Sequence, residues 1–207
     1  IKEMNKNIIY NTNKMKFKFN KKNILITYHP VTLEKNTSAS QFKQILLAVS
    51  KLKNTKLIFT YPNSDTNGRV IINMIKKFVS SKKSDSMKFA SMGHVSYLSV
   101  LKYVDCVLGN SSSGILEAPS LKIPTINIGD RQEGRLKANS VIDSKPAKSS
   151  ILKSIKKVYS KGFRYNLKFT RNPHEYKNSA NKIYQIIKNK KAPLELKKSF
   201  YNLWKKY

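Results

Sequence analysis

Short apolar runs alternate with amphipathic segments along most of this chain, and that alternation leaves few folds open. Ile24-Leu25-Ile26-Thr27-Tyr28 is a continuous apolar run that stops at His29-Pro30, as a strand buried on both faces would. Phe42, Ile45, Leu46 and Val49 then fall at i, i+3, i+4 and i+7, one stripe of a helix. The pattern repeats. Residues 56–61 read as a second strand stopped by Pro62-Asn63, and Val70, Ile71, Met74, Ile75 and Phe78 as the next helix. Residues 87–90 read as a weak third strand, 95–103 as a helix with Leu98 and Leu101 inward, and 104–108 as a fourth strand. A helix over about 113–121, a fifth strand over 124–128, a charged loop over 129–138 and a sixth strand over 140–142 come next. Helices are expected over roughly 147–160, 176–190 and 194–205. Strands alternating with helices predict a parallel sheet covered on both faces. Right-handed crossovers make that sheet open: an α/β, Rossmann-like fold. Residues 1–22 read as a linker or the end of an upstream element, 23–190 as the Rossmann-like domain, and 191–207 as a C-terminal helix.

The 207 residues suit one domain or slightly more, and 40% hydrophobic residues suffice for a core. No apolar stretch approaches the roughly 20 residues of a membrane span, so no membrane partner is expected. A lone Cys106 excludes an internal disulfide and fits a reducing, cytoplasmic setting. No cluster of Cys and His offers a metal site.

The formal net charge of +30 invites a nucleic-acid reading. Against it, 36 of the 41 basic residues are Lys and five are Arg, whereas base and phosphate readout favours Arg. Residues 105–143 also hold five acids against four bases, so the excess lies elsewhere. A solvated lysine coat is the preferred reading. A lysine-driven polyanion-binding module, or a non-catalytic remnant, stands as the alternative.

In an open parallel sheet, ligands bind at the carboxyl ends of the strands. The segments there are His29-Pro30-Val31-Thr32, Pro62-Asn63-Ser64-Asp65, Ala90-Ser91-Met92-Gly93, Gly109 to Glu117 and Gly129 to Arg135. Gly109-Asn110-Ser111-Ser112-Ser113-Gly114 joins a strand to a helix through small residues. Such residues let a phosphate approach backbone N–H groups; a Ser-rich helix cap is an equally good reading. Neither a Walker loop nor G-x-G-x-x-G is present. Glu117, within a largely apolar segment, could accept both hydroxyls of a ribose, although alone it reads as a solvated or salt-bridged Glu. Arg131 and Arg135, four apart, could clamp a diphosphate or simply sit in an exposed loop. His29 could donate to a phosphate or act beside a reacting sugar, or bond only to backbone. His94 and His174 carry no role, and Cys106 reads as a buried, inert thiol.

Taken together, Tyr28-His29-Pro30-Val31-Thr32-Leu33-Glu34, Pro62-Asn63-Ser64-Asp65, Gly109-Asn110-Ser111-Ser112-Ser113-Gly114-Ile115-Leu116-Glu117-Ala118-Pro119-Ser120 and Ile123-Pro124-Thr125-Ile126-Asn127-Ile128-Gly129-Asp130-Arg131-Gln132-Glu133-Gly134-Arg135 resemble the UDP-N-acetylglucosamine 2-epimerases. The nearest branch is the hydrolysing one of sialic- and legionaminic-acid synthesis. The resemblance implies the C-terminal, nucleotide-binding half of a GT-B fold. It also implies that Ser111 and Ser112 bind the diphosphate, that Glu117 holds the ribose hydroxyls, and that the backbone around Met92 meets the uracil. Arg131 would lie on the nucleotide side of the cleft, and His29 would face the diphosphate–sugar region as the catalytic candidate.

The implied chemistry is elimination of UDP to a 2-acetamidoglucal followed by addition of water. Free N-acetylmannosamine or a 2,4-diacetamido analogue results, with no cofactor. The family's acid/base carboxylates belong mainly to an N-terminal domain. A separate or separately encoded domain is therefore the expected partner, alone this chain should be nearly inactive, and a homo-oligomer is compatible. Asn172-Pro173-His174-Glu175-Tyr176 stands where the family carries a Gly-rich stretch, a departure that bears on domain closure.

Overall fold

The structure, a computed structural model, describes residues 19–31, 37–63, 67–82 and 85–190. Residues 32–34 and Ser64-Asp65 of the motifs above, most of the expected linker and the helix expected over 194–205 lie outside them. The described chain forms two units, one ending at His174 and one starting at Glu175.

Six strands of the first unit, β1 (Lys22–Thr27), β2 (Thr55–Thr60), β3 (Ser86–Phe89), β4 (Cys106–Gly109), β5 (Thr125–Ile128) and β6 (Val141–Ser144), make one sheet. Its order is β3-β2-β1-β4-β5-β6 and every pairing is parallel. The alternation predicted an open, parallel, Rossmann-like sheet; its order is a finding of the structure. Side chains of β1 divide by the two-residue period of a strand. Ile24 and Ile26 enter one core, Leu25 the other. On the first face lie α1 (Ser38–Val49), α2 (Gly68–Ser81) and α5 (Lys148–Val158), through Phe42, Ile45, Ile71, Ile75, Ile151 and Ile155. On the second lie α3 (Gly93–Leu101), through Val100 and Leu101, and the turn holding Ala118. Each fully buried aliphatic side chain contributes about 1.5–3 kcal/mol, so both faces are needed to hold the sheet.

Three local differences from the expectation have physical causes. The stripe of α2 runs through Ile71, Ile75 and Val79, leaving Val70 exposed. The helix expected over 113–121 is α4 (Ser113–Leu116) followed by a 3-10 turn, Ala118–Leu121, with Pro119 at its start; proline has no N–H to continue the α ladder. A six-residue helix, α6 (Lys161–Asn166), follows α5, started by the Ser160 hydroxyl accepting from the Phe163 N–H. It has too few residues to show a period. The second unit carries α7 (Ser179–Asn189), whose Ile183, Ile186 and Ile187 form one apolar stripe.

Candidate functional site

In the order β3-β2-β1-β4-β5-β6, the connection after β1 leads to one face of the sheet and that after β4 to the other. Adjacent strands whose exits diverge leave a crevice at their carboxyl ends. His29 and Asn110 occupy it.

Glycine is required at the mouth. Gly109 has φ +142°, and a Cβ there would stand 1.8 Å from the Thr27 carbonyl oxygen, so any side chain would force β4 off β1. The next residue, Asn110, is fully buried. Its N–H donates to the Thr27 carbonyl at 3.2 Å. Its side-chain Oδ1 accepts from the His29 N–H at 2.7 Å, and its Nδ2 donates to the His29 carbonyl at 2.8 Å. The Asn110 carbonyl in turn accepts from the Arg131 guanidinium at 3.0 Å and from Gln132 Nε2 at 2.8 Å. Three segments far apart in sequence thus meet on one residue. His29 is itself buried, and its Nδ1 accepts from the Asn63 N–H at 3.2 Å. An accepting Nδ1 puts the proton of the neutral ring on Nε2.

After Asn110 the chain turns through Ser111 and Ser112 into α4. The N–H groups of Gly114 and Ile115 bond back to the carbonyls of Ser111 and Ser112. The Ser111 hydroxyl accepts from the Ser113 N–H, and the Ser112 side chain makes no cap bond. The N–H groups of Ser111 and Ser112 take no acceptor among the described residues. Two adjacent unbonded N–H groups and two hydroxyls make a short cradle for an anion. A one-turn helix adds little dipole to it.

Glu117 joins α4 to the 3-10 turn, one helical turn beyond the cradle. It is half-buried, and its carboxylate has no hydrogen bond or ion pair among the described residues. It lines a cavity of about 290 Å³ with His94, Val95 and Leu98 of α3, with Lys102 just after that helix, and with Leu116, Ser120 and Leu121. Met92 caps the same α3 helix and packs on the second core. The two helices are joined by the Ser113 hydroxyl, which donates to Tyr97. Burial pushes the Tyr97 hydroxyl up to about 12; the Ser113 bond opposes this and the nearby Glu117 charge adds to it. Asn172 braces the turn from outside, donating to the Leu116 carbonyl at 2.8 Å and the Ser120 hydroxyl at 2.7 Å. The His174 ring bonds the Leu136 carbonyl.

The structure therefore gathers His29, Ser111, Ser112 and Arg131 around Asn110, with Glu117 and Met92 placed along α4 and α3. Arg135 is exposed, and its guanidinium has no bond beside Arg131 among the described residues. Sequence reasoning missed Asn110, Gln132 and Asn63 as structural partners, and His94 as a wall of the Glu117 cavity. Asn110 stood inside the quoted motif, yet nothing in a lone Asn announces a partner 81 residues away. Burial pushes the Cys106 thiol far up, with Asp105 adding to the effect, as an inert thiol requires. No group of His, Cys, Asp or Glu among the described residues could hold a metal ion, and no helix among them is long and apolar enough to cross a membrane.

A larger cleft, about 630 Å³, opens at the other edge of the sheet, where β1 and β2 begin. Lys51, Lys53 and Lys156 line it near the C-terminal ends of α1 and α5, where helix dipoles favour cations without any ligand.

The family described as UDP-N-acetylglucosamine 2-epimerase matches residues 2–188. The chain is 38% identical over 190 residues to the GDP/UDP-N,N'-diacetylbacillosamine 2-epimerase (hydrolyzing) of Campylobacter jejuni, covering 91% of this chain and 49% of that protein. It is 36% identical over 170 residues to the polysialic acid biosynthesis protein P7 of Escherichia coli, covering 82% and 43%. The chain thus spans about half the length of these relatives or less. Among solved structures, it is similar in fold to the Methanocaldococcus jannaschii UDP-GlcNAc 2-epimerase in complex with UDP-GlcNAc and UDP. The TM-score there is 0.62 at 16% identity, over 81% of this chain and 45% of that one.

Proposed function

This chain belongs to the UDP-N-acetylglucosamine 2-epimerase family, and from that premise we propose that its Rossmann-like unit holds the UDP moiety of a UDP-sugar in a hydrolysing 2-epimerase. One observation carries the reading. The carboxylate of Glu117 is half-buried and unpaired on the wall of a cavity, one helical turn from the two unbonded N–H groups of Ser111 and Ser112. A half-buried carboxylate without a partner is costly unless a ligand supplies donors. A ribose with two vicinal hydroxyls does so while its diphosphate reaches the serine cradle.

In this reading Ser111 and Ser112 donate to the diphosphate and Glu117 accepts from the ribose hydroxyls. The backbone at Met92 meets the uracil, and Arg131 adds positive charge beside the phosphates. His29, with its proton on Nε2, donates to the phosphate oxygen that gains charge as the sugar leaves. The reaction removes the C2 proton and breaks the bond from C1 to UDP, giving a glucal. Water then adds its hydroxyl to C1 and a proton to C2 from the opposite face. Free manno-configured sugar and UDP result. A base must take the C2 proton. The acidic side chains nearest the exits of β5 and β6 are Asp130 and Asp143, and Asp143 is bonded to Lys137 and Asn127. We assign the acid/base carboxylates to a second domain, so this chain alone should bind UDP without turning over.

Glu117→Ala tests the site. Loss of charge-assisted ribose contacts should cost about 1.5–3 kcal/mol of UDP affinity, roughly 10- to 150-fold. A variant that binds UDP as tightly as the parent would remove Glu117 from the site.

A further inference from the structure

We propose that Asn110 is the positioning residue of this site: its side chain sets how His29 faces a bound nucleotide, while its backbone carbonyl holds Arg131. As far as it concerns ligand, the proposal rests on the UDP reading above. The β1–β4 ladder ends at the pair Thr27 and Gly109. One residue further on, Asn110 turns its side chain toward β1. Its amide offers one acceptor to the His29 N–H and one donor to the His29 carbonyl. The side chain thus stands in for one more peptide of the ladder. Among the common side chains, only Asn and Gln carry a donor and an acceptor in that peptide-like arrangement, and a Gln is one methylene too long for this reach.

The exit of β1 is held in this way where the two strands diverge and backbone pairing has stopped. The consequence for the ring is direct. Its Nδ1 takes the Asn63 N–H, a bond that needs the His29 backbone in place. Meanwhile both lone pairs of the Asn110 carbonyl are taken, by Arg131 and by Gln132. The loop after β5 and the exit of β1 are therefore fixed to the same residue, the loop to its backbone carbonyl and the exit to its side chain. Burial makes these bonds costly to lose, since Asn110 has no exposed surface and Gln132 is 1% exposed.

A purely structural Asn would lower stability when replaced and leave the ring and the His29 contribution to binding alone. The test uses the 207-residue chain, with the histidine ring nitrogens labelled with 15N, at a pH where the rings are neutral. In the parent, His29 should show an accepting Nδ1 and a protonated Nε2. In Asn110→Ala the ring should pass to a mixture of the two tautomers. UDP affinity should fall at least tenfold, and His29→Ala should cost less than half as much in the Asn110→Ala background as in the parent, whereas the Arg131→Ala effect, which rests on the retained backbone carbonyl, should not change. An unchanged tautomer together with an unchanged His29 effect would overturn the proposal.

Should Asn110→Ala fail to fold, Asn110→Asp answers the same question. A protonated carboxyl keeps one donor and one acceptor, whereas the ionised one keeps none of the donors. Relative to the parent at the same pH, that variant should bind UDP better as the pH is lowered and the carboxyl gains its donor. A ratio to the parent that does not change with pH would refute it. The ring spectrum does not depend on nucleotide. A tautomer that responds to Asn110 in a chain that binds no UDP would keep the positioning role and discard the functional reading.

Discussion

Replacing Gly114 with alanine would place a methyl carbon 2.5 Å from Thr125 Cγ2 and 3.2 Å from its Oγ1. Carbon atoms in contact need about 3.5–4 Å, so α4 or the Thr125 side chain must move by about 1 Å. Neither moves freely. Thr125 is 2% exposed, at the start of β5, and its hydroxyl donates to the Gly114 carbonyl at 2.7 Å. A new rotamer that cleared the methyl would break that bond. Overpacking costs about 1–3 kcal/mol and the lost buried bond about 1 kcal/mol, so Gly114→Ala should lose about 2–4 kcal/mol. Thr125→Ser removes the clashing methyl and keeps the hydroxyl, at about 1 kcal/mol alone. In the double variant the alanine methyl meets Cβ at 3.4 Å, an ordinary contact, and Oγ1 at 3.2 Å, a tight one that a small shift relieves. Its loss should therefore fall at least 1 kcal/mol short of the sum of the single losses. Urea unfolding followed by circular dichroism reads all four chains. A Gly114→Ala chain within 0.5 kcal/mol of the parent, or a double variant that is merely additive, would refute the close packing of α4 on β5. On the proposed reading that packing bears on binding, because α4 lies between Ser111 and Ser112 on one side and Glu117 on the other.

Two further predictions concern pH. Tyr97 is held up to about 12, above its ordinary value, by burial, with the Ser113 bond opposing and the Glu117 charge adding; its contribution to stability is full below about pH 10 and is lost as pH rises from there through the folded value. Tyr97→Phe should therefore lose less stability than the parent between pH 10 and 12, and parallel losses would contradict the burial. For Asp143, desolvation alone would raise the carboxyl, but the bonds from Lys137 and Asn127 and the Lys137 charge bring it below its usual value. Stability from Asp143 is present above about pH 4 and is lost as pH falls through the lowered folded value. Its side chain is 58% exposed, so Asp143→Asn should differ from the parent by less than about 1 kcal/mol at pH 6, with the gap closing toward pH 2.

The sheet was legible because its strands are continuous apolar runs and its helices keep a clean stripe, as in Phe42, Ile45 and Val49. Strand order was not, since nothing local in Ile24 to Thr27 says that Leu25 will pair with both Ile58 and Val107. The site followed the same division. Ser111, Ser112, Glu117 and Arg131 sit in contiguous motifs whose composition left a phosphate site and a Ser-rich cap equally open, and the family resemblance supplied the roles proposed for them. The bonds that organise them run from residue 110 to residues 29, 131 and 132, and from 63 to 29. Such contacts arise from topology and leave no period in the chain. The break at Glu117 was readable in principle from Pro119, which cannot continue an α-helix. α6 was not, because six residues show no period.

On the proposed reading this unit recognises UDP through built contacts rather than through the chain's net charge of +30. Calorimetric titration of the chain with UDP near 0.3 M salt tests it most directly, because the Debye length is then well below about 8 Å and diffuse attraction by lysines is suppressed. CMP and pyrophosphate serve as controls. The account predicts saturable binding, one site per chain, with UDP preferred over both controls. Equal binding of all three ligands, or binding that vanishes between low salt and 0.3 M, would contradict it and favour a lysine-driven polyanion surface.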